Sequence, residues 1–168
     1  MKTTIQLHRA MGAQVIKHLS QFGALPAQGI LAGQAVDSAI TDLFGQGGGV
    51  YNDLDIFRNV PSGMRQGHRN FASKTAGRAT LGLQAPSEYA GMQLTLSLVQ
   101  SYSIKSVSRQ GMLNFVNCSM DAHEGTRRLT ANHVLSGFDL NCTRVCVDLA
   151  TGELIWDRHY EEFLRSRQ

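Results

Sequence analysis

The stretch over 29–57 constrains the fold of this chain more than any other part of its sequence. An apolar run at 29–33 ends in glycine, and apolar residues then recur at helical spacing over 34–44. After a run of glycines, residues 51–57 alternate between apolar and polar side chains, which is typical of a strand with one buried face. The order strand, glycine turn, helix and neighbouring strand predicts an α/β unit.

The rest of the chain adds elements of both kinds. The predicted elements are a helix over 10–22, a hairpin with strands at 102–108 and 112–120, a polar helix within 121–135, a long strand over 138–149 and a short helix over 159–165. Residues 58–99 are predicted to form a long variable insertion, in which 68–80 is the one helix candidate. The expected fold class is therefore α/β (α+β), a mixed sheet flanked by helices in a single minimal domain over 1–168.

Charge is distributed unevenly along the chain. The 16 Lys and Arg residues outnumber the 13 Asp and Glu residues only slightly, but no acidic residue occurs before position 37 or between 55 and 88. A cluster of aspartates is followed at once by a purely basic stretch, Arg58, Arg65, Arg69, Lys74 and Arg78. This order suits a site that binds a metal ion through carboxylates and phosphate through guanidinium groups. Solvated charge on a long loop is the alternative interpretation of the basic stretch.

Cysteine usage and hydropathy indicate the compartment. The chain has three cysteines, no Cys-x-x-Cys pair and no charged-then-apolar leader at its start. It also lacks any run of 18 apolar residues. We therefore expect a cytoplasmic protein with reduced thiols and no membrane partner.

Two aspartates in the alternating strand are the strongest candidates for chemistry. Asp53 and Asp55 are two residues apart, so on a strand their side chains share one face. Two like charges held together are unfavourable unless a cation neutralises them, which makes the pair a candidate magnesium site. An ordinary solvent-facing pair has the same spacing. The turn at Gly33 favours the first interpretation, because the start of a helix offers backbone N–H groups and a positive dipole to a triphosphate.

With these residues in view, ILAGQAVDSAITDLFGQGGGVYNDLDIF resembles the head domain of class II nucleotidyltransferases. That group contains the CCA-adding enzymes and bacterial poly(A) polymerases of the polymerase-β superfamily, and the signature is also similar to that of small phage and bacterial proteins. The resemblance implies that Gly33 and Gln34 bind the nucleotide, with Gln34 standing where the family has a second glycine or a serine. It also implies that Asp53 and Asp55 hold two magnesium ions, for which manganese is an alternative.

The family has a third carboxylate on a later strand, and two residues qualify for that place. Asp139 and Asp148 are both flanked by apolar residues, and their separation of nine places them on opposite faces of a regular strand. Asp148 is readily explained as a turn-capping residue, so Asp139 is the favoured third catalytic and metal-binding carboxylate. Arg58 is the basic residue nearest in sequence to the acidic strand and is the candidate for steadying the phosphates.

The function that the resemblance implies is magnesium-dependent transfer of a nucleoside monophosphate from an NTP, such as ATP. The acceptor would be an RNA end, tRNA-like RNA included, a protein hydroxyl or a small molecule. The alternative function is that of a catalytically silent nucleotidyltransferase-fold domain that binds nucleic acid or serves in assembly. Little sequence follows Asp139, so we expect acceptor choice to come from the insertion, a homo-oligomer or a partner protein.

Overall fold

The computed structural model describes residues 4–21, 24–59, 102–110, 113–122, 125–126 and 129–167. The helices among these residues are α1 (Met11–Ser20), α2 (Gln34–Leu43), α3 (Ala131–Ser136) and α4 (Arg158–Ser166), and Asn141–Thr143 form a 3-10 turn. Its strands are β1 (Ile30–Ala32), β2 (Leu54–Asn59), β3 (Tyr102–Gln110), β4 (Leu113–Ala122), β5 (Gly125–Thr126), β6 (Val145–Asp148) and β7 (Glu153–Trp156). The fold is α+β, as the sequence predicts.

The strands form one mixed sheet in the order β3-β4-β2-β1-β6-β7, and β5 pairs with the end of β4. Strands β2 and β4 run parallel, whereas β1 is antiparallel to both of its neighbours, β2 and β6. In this register Ala32 lies opposite Asp55 on one side and opposite Cys146 on the other. The end of β1 therefore lies beside the beginning of β2.

Helices α1, α2 and α4 cover one face of the sheet. Helix α1 buries Met11, Val15 and Leu19, which recur every four residues and so form one apolar stripe. These side chains pack with Leu54 and Ile56 of β2, both of which are buried. This is the larger of the two apolar clusters that the described residues form. The alternation of β2 leaves its odd-numbered side chains for the opposite face.

Helix α3 covers part of that opposite face. Its residues Val134 and Leu135 pack with Ala32, Phe57 and Val116 in a second, smaller cluster. Thr130 caps the helix by accepting a hydrogen bond from the backbone N–H of residue 133, whose ring in turn accepts one from the Thr130 backbone. Asp55 belongs to the same face because it lies two residues before Phe57 on β2.

Two predicted elements differ from the structure in extent. The residues predicted as a strand over 138–149 form a bend, then a 3-10 turn, and only then the short strand β6. The ring of Phe138 packs edge-on against that of Phe57 at 5.9 Å between centroids. A second correction concerns 121–135, where β4 continues to Ala122 and a helix begins only at Ala131.

Four predicted elements are confirmed with small changes at their ends. Helices α1 and α2, the hairpin of β3 and β4, and helix α4 all form where the sequence indicates them. The described part of the chain contains no helix long and apolar enough to cross a membrane. The helix predicted within 68–80 and the insertion of which it is part, from residue 60 onward, lie outside the described residues.

Candidate functional site

The turn between β1 and α2 is built around a glycine that no other residue replaces without strain. Gly33 has φ of 99° and ψ of −166°, a backbone conformation that side chains rarely adopt. It is the N-cap of α2 and supplies no side-chain hydrogen bond to the first turn of the helix. Helix α2 therefore starts with backbone N–H groups and the positive end of its dipole at this turn.

Gly33 lies directly against the carboxylate of Asp55. A Cβ atom built on Gly33 is 3.3 Å from Oδ2 of Asp55, which is tighter than an ordinary van der Waals contact. The register that places Ala32 opposite Asp55 explains the approach. The structure thus brings together the two features that the sequence indicated separately, the glycine turn at a helix start and the aspartate of the next strand.

After α2 the chain runs back along the helix toward this turn through the glycine run, residues 45–49. Gly48 lies so close to the helix that a Cβ atom on it would be 2.2 Å from the carbonyl oxygen of Ser38. Its N–H also donates a hydrogen bond to Asp42 in the last turn of α2. Gln34 is exposed, with Nε2 3.6 Å from the place of a Cβ atom on Gly49. The side chain of the predicted phosphate ligand Gln34, the first residue of α2, therefore extends toward the glycine run.

A third side chain, which the sequence did not single out, joins the two aspartates. Asn114 at the start of β4 is 6% exposed, and its Nδ2 donates hydrogen bonds to Oδ2 of Asp53 at 2.8 Å and to Oδ1 of Asp55 at 3.0 Å. Asp55 and Asn114 are directly opposite each other in the parallel pair of β2 and β4. Asp53 and Asp55 are both half-buried, so this amide offsets part of the repulsion between their charges.

Neither candidate for the third carboxylate is gathered with these residues. Asp139 is exposed in the bend after α3, not on a strand. Asp148 lies at the opposite end of β1 from Gly33, paired with Ile30, and its Oδ1 accepts a hydrogen bond from the backbone of Ala150, as expected of a turn cap. Among the described residues no three His, Cys, Asp or Glu side chains lie together at a spacing suited to a metal ion.

Arg58 lies on the other face of the sheet from the aspartates. It follows Asp55 by three residues, so the alternation of β2 turns its side chain the other way. Its guanidinium carbon lies 4.1 Å from the centre of the Phe115 ring, which belongs to the larger apolar cluster. Burial lowers the pKa of Arg58. Arg58, the candidate for steadying the phosphates, therefore lies against Phe115 on the face opposite the carboxylate pair.

The residues around Gly33 fit a divalent cation by the chemistry of their donor atoms. Two carboxylates meet at the beginning of β2, and carboxylate oxygens are ligands that magnesium prefers. Asn114 of β4 faces them with its amide nitrogen. Because residue 33 is glycine, there is space beside the carboxylate of Asp55 that a side chain would fill. Asp53 and Asp55 would hold the cation, next to the start of α2.

A separate groove lies on the face covered by α4. It has a volume of about 610 Å³ and is lined by residues of the N-terminal segment, the end of β7, and α4 with its C-cap, among them Ile5, Leu7, Trp156, Arg165 and Arg167. None of the predicted site residues lines it. It mixes apolar side chains with two arginines, without a paired set of carboxylates, so it offers no comparable cation site.

No family model, no curated protein and no solved structure matches the chain.

Proposed function

We propose that this protein is a magnesium-dependent nucleotidyltransferase whose site lies at the turn between β1 and α2. The observation that carries the proposal is the close approach of Gly33 to Asp55, which brings the start of a helix against one carboxylate of the pair. A helix start attracts phosphate and a carboxylate pair attracts divalent cations. A nucleoside triphosphate carrying its magnesium ion has both of these groups, so it is the ligand class that fits both halves of the site.

Each residue has a defined part in this proposal. The N–H groups at the start of α2 and the amide of Gln34 bind the triphosphate, and Asp53 and Asp55 hold the cation. When bound, magnesium, or manganese in its place, would neutralise part of the charge on the triphosphate. An acceptor oxygen forms a bond to the α-phosphorus, the bond from that phosphorus to the bridging oxygen breaks, pyrophosphate leaves, and the acceptor proton passes to solvent water. The acceptor is an RNA end, a protein hydroxyl or a small molecule.

The test is nucleotide transfer with matched carboxylate variants. The protein is incubated with each NTP labelled on its α-phosphate, with magnesium or manganese, and with total RNA or cell lysate. Wild type is expected to transfer label, and Asp53→Asn and Asp55→Asn to lose at least 100-fold in rate, since each removes one cation ligand. Asp148→Asn at the far end of β1 is the control and retains the wild-type rate. Loss of transfer in that control equal to the loss in Asp55→Asn would contradict the assignment.

A catalytically silent domain is the second candidate, and one specific observation favours it. The third carboxylate of the resembling family has no counterpart gathered with Asp53 and Asp55 in the described part of the chain, and Asn114 contacts both instead. A neutral amide is a weaker attractor of cations than a carboxylate and accepts no proton from an attacking hydroxyl. Cation-dependent NTP binding without transfer to any acceptor is the result that this candidate predicts. Transfer that Asp139→Asn abolishes would instead support Asp139 as the third carboxylate.

A further inference from the structure

Asn114 occupies a position from which it acts on both carboxylates at once. Its side chain is buried, and a single amide nitrogen donates to Asp53 and to Asp55. This arrangement suits the cation-free site, because N–H donors reduce the repulsion between two carboxylates. It conflicts with a bound cation, because the same N–H groups carry positive partial charge and point at the oxygens that the cation needs.

A half-turn of the amide about its Cβ–Cγ bond removes the conflict. The two ends of an amide have almost the same shape, so the rotation places Oδ1 where Nδ2 now lies. Nδ2 is 2.8 Å from an oxygen of Asp53 and 3.0 Å from an oxygen of Asp55. Adjacent oxygen ligands of an octahedral magnesium ion are separated by about 2.9 Å, because each lies about 2.0–2.1 Å from the metal. After rotation Asn114 has the spacing of a third ligand.

We propose that Asn114 is the third protein ligand of the cation site and that its amide turns over when the cation binds. The inference rests on the proposed function, in which Asp53 and Asp55 hold the cation. It assigns to the site two carboxylates and one neutral oxygen. The net charge of the protein ligands is then −2, whereas three carboxylates would give −3. A donor set of that charge holds one divalent cation per chain, and a second ion requires ligands from the nucleotide.

The test counts water molecules on a bound ion. Europium(III) is a hard, oxygen-seeking cation, and its luminescence lifetimes in H₂O and D₂O report the number of coordinated waters. Asn114→Ala is expected to leave about one more water on the ion than wild type, because solvent fills the place of the lost amide oxygen. It is also expected to weaken magnesium binding about tenfold by calorimetry. Asn132→Ala, on the exposed side of α3, is the matched control and changes neither quantity.

Two outcomes separate the inference from the proposal beneath it. Equal hydration in wild type and Asn114→Ala, while Asp55→Asn abolishes binding, overturns the role of Asn114 and leaves the cation site intact. Binding that Asp53→Asn and Asp55→Asn do not weaken overturns the proposed function itself. Circular dichroism checks that Asn114→Ala is folded, and Asn114→Ser serves in its place if it is not. The side-chain amide resonances of wild-type Asn114 provide an independent reading, since loss of both hydrogen bonds on titration with magnesium shifts them.

Discussion

Gly33 combines a backbone angle and a contact that a side chain would disturb. Its φ of 99° belongs to a region that glycine alone enters at little cost, and a Cβ atom there would press on Asp55. We expect Gly33→Ala to lower the free energy of unfolding by about 2–3 kcal/mol. Urea denaturation followed through the fluorescence of Trp156, the single tryptophan, measures this change.

Gly47 is the matched control for that experiment. It also has a positive φ, 69°, but a Cβ atom on it meets nothing within 4 Å. Gly47→Ala is therefore expected to cost only about 1 kcal/mol, the price of a left-handed backbone for alanine. It is also expected to leave cation-dependent nucleotide binding intact, whereas Gly33→Ala weakens it. Equal losses of stability and binding in both variants would show that the contact with Asp55 has no special role.

A half-buried carboxylate in α2, Asp37, gives a second prediction at the scale of single residues. The hydroxyl of Tyr160 donates to Oδ1 of Asp37 at 2.7 Å, between α4 and α2. Burial raises the pKa of Asp37, while the hydrogen bond from Tyr160 and the charge of Arg167 oppose that rise. The folded state therefore holds this proton more tightly than the unfolded state. Stability contributed by the protonated carboxyl is present below its ordinary pKa of 3.8 and is lost as pH rises through the folded pKa.

Tyr160→Phe removes the donor and should raise the pKa of Asp37 further. The loss of stability relative to wild type is then expected to grow as pH rises through the folded pKa of Asp37, which lies above 3.8, and to reach about 1–3 kcal/mol at neutral pH. Urea denaturation at a series of pH values measures it. In an Asp37→Asn background residue 37 no longer titrates. The difference in stability between Tyr and Phe at position 160 should then be independent of pH. A difference that is constant with pH in the wild-type background would contradict the coupling.

At the scale of elements, the N-cap of α4 joins the C-terminal helix to the start of β6. Oδ1 of Asp157 accepts hydrogen bonds from the backbone N–H groups of His159 and Tyr160, and its Oδ2 lies 2.9 Å from Nη1 of Arg144. A cap of this kind stabilises a helix by about 1 kcal/mol, whereas a partly exposed ion pair contributes less than about 1 kcal/mol. The cap is therefore the larger contribution.

Two substitutions at Asp157 separate these contributions. Asp157→Asn keeps an oxygen for the cap and loses the ion pair, whereas Asp157→Ala loses both. We expect stability to fall in the order wild type, Asp157→Asn, Asp157→Ala, with about 1 kcal/mol between the two variants. Thermal unfolding by circular dichroism measures the order. Variants of equal stability would mean that the cap contributes nothing and that the ion pair accounts for the whole loss.

Elements whose signals are local could be predicted from the sequence, and those fixed by distant contacts could not. The strand, glycine turn and helix from β1 to α2 depend on neighbours in the chain, and each formed as expected. The strand predicted over 138–149 failed because Phe138 packs on Phe57, far away in sequence. Asn114 was missed for the same reason, since only the parallel register of β2 and β4 places it opposite Asp55.

At the scale of the whole molecule, the sheet order converts these distant residues into one site. Asp55 and Asn114 are 59 residues apart in sequence, yet they are neighbours because β2 and β4 are the parallel pair. Strand β1 on the other side of β2 brings Gly33 and the start of α2 to the same place. Three separate segments thus converge on two half-buried negative charges, an arrangement that costs stability in the absence of a cation.

That cost predicts how the stability of the whole molecule responds to magnesium. In EDTA, Asp55→Asn is expected to be more stable than wild type by on the order of 1 kcal/mol, because it removes one of two repelling charges. Magnesium should stabilise wild type, by about 2.7 kcal/mol at 100 times its dissociation constant, and should leave Asp55→Asn unchanged. The two unfolding midpoints therefore cross as magnesium is added. Thermal unfolding with and without magnesium measures both, with Asp148→Asn as the control that follows wild type. Parallel midpoints at every magnesium concentration would exclude Asp55 as a cation ligand, whatever the protein then proves to bind.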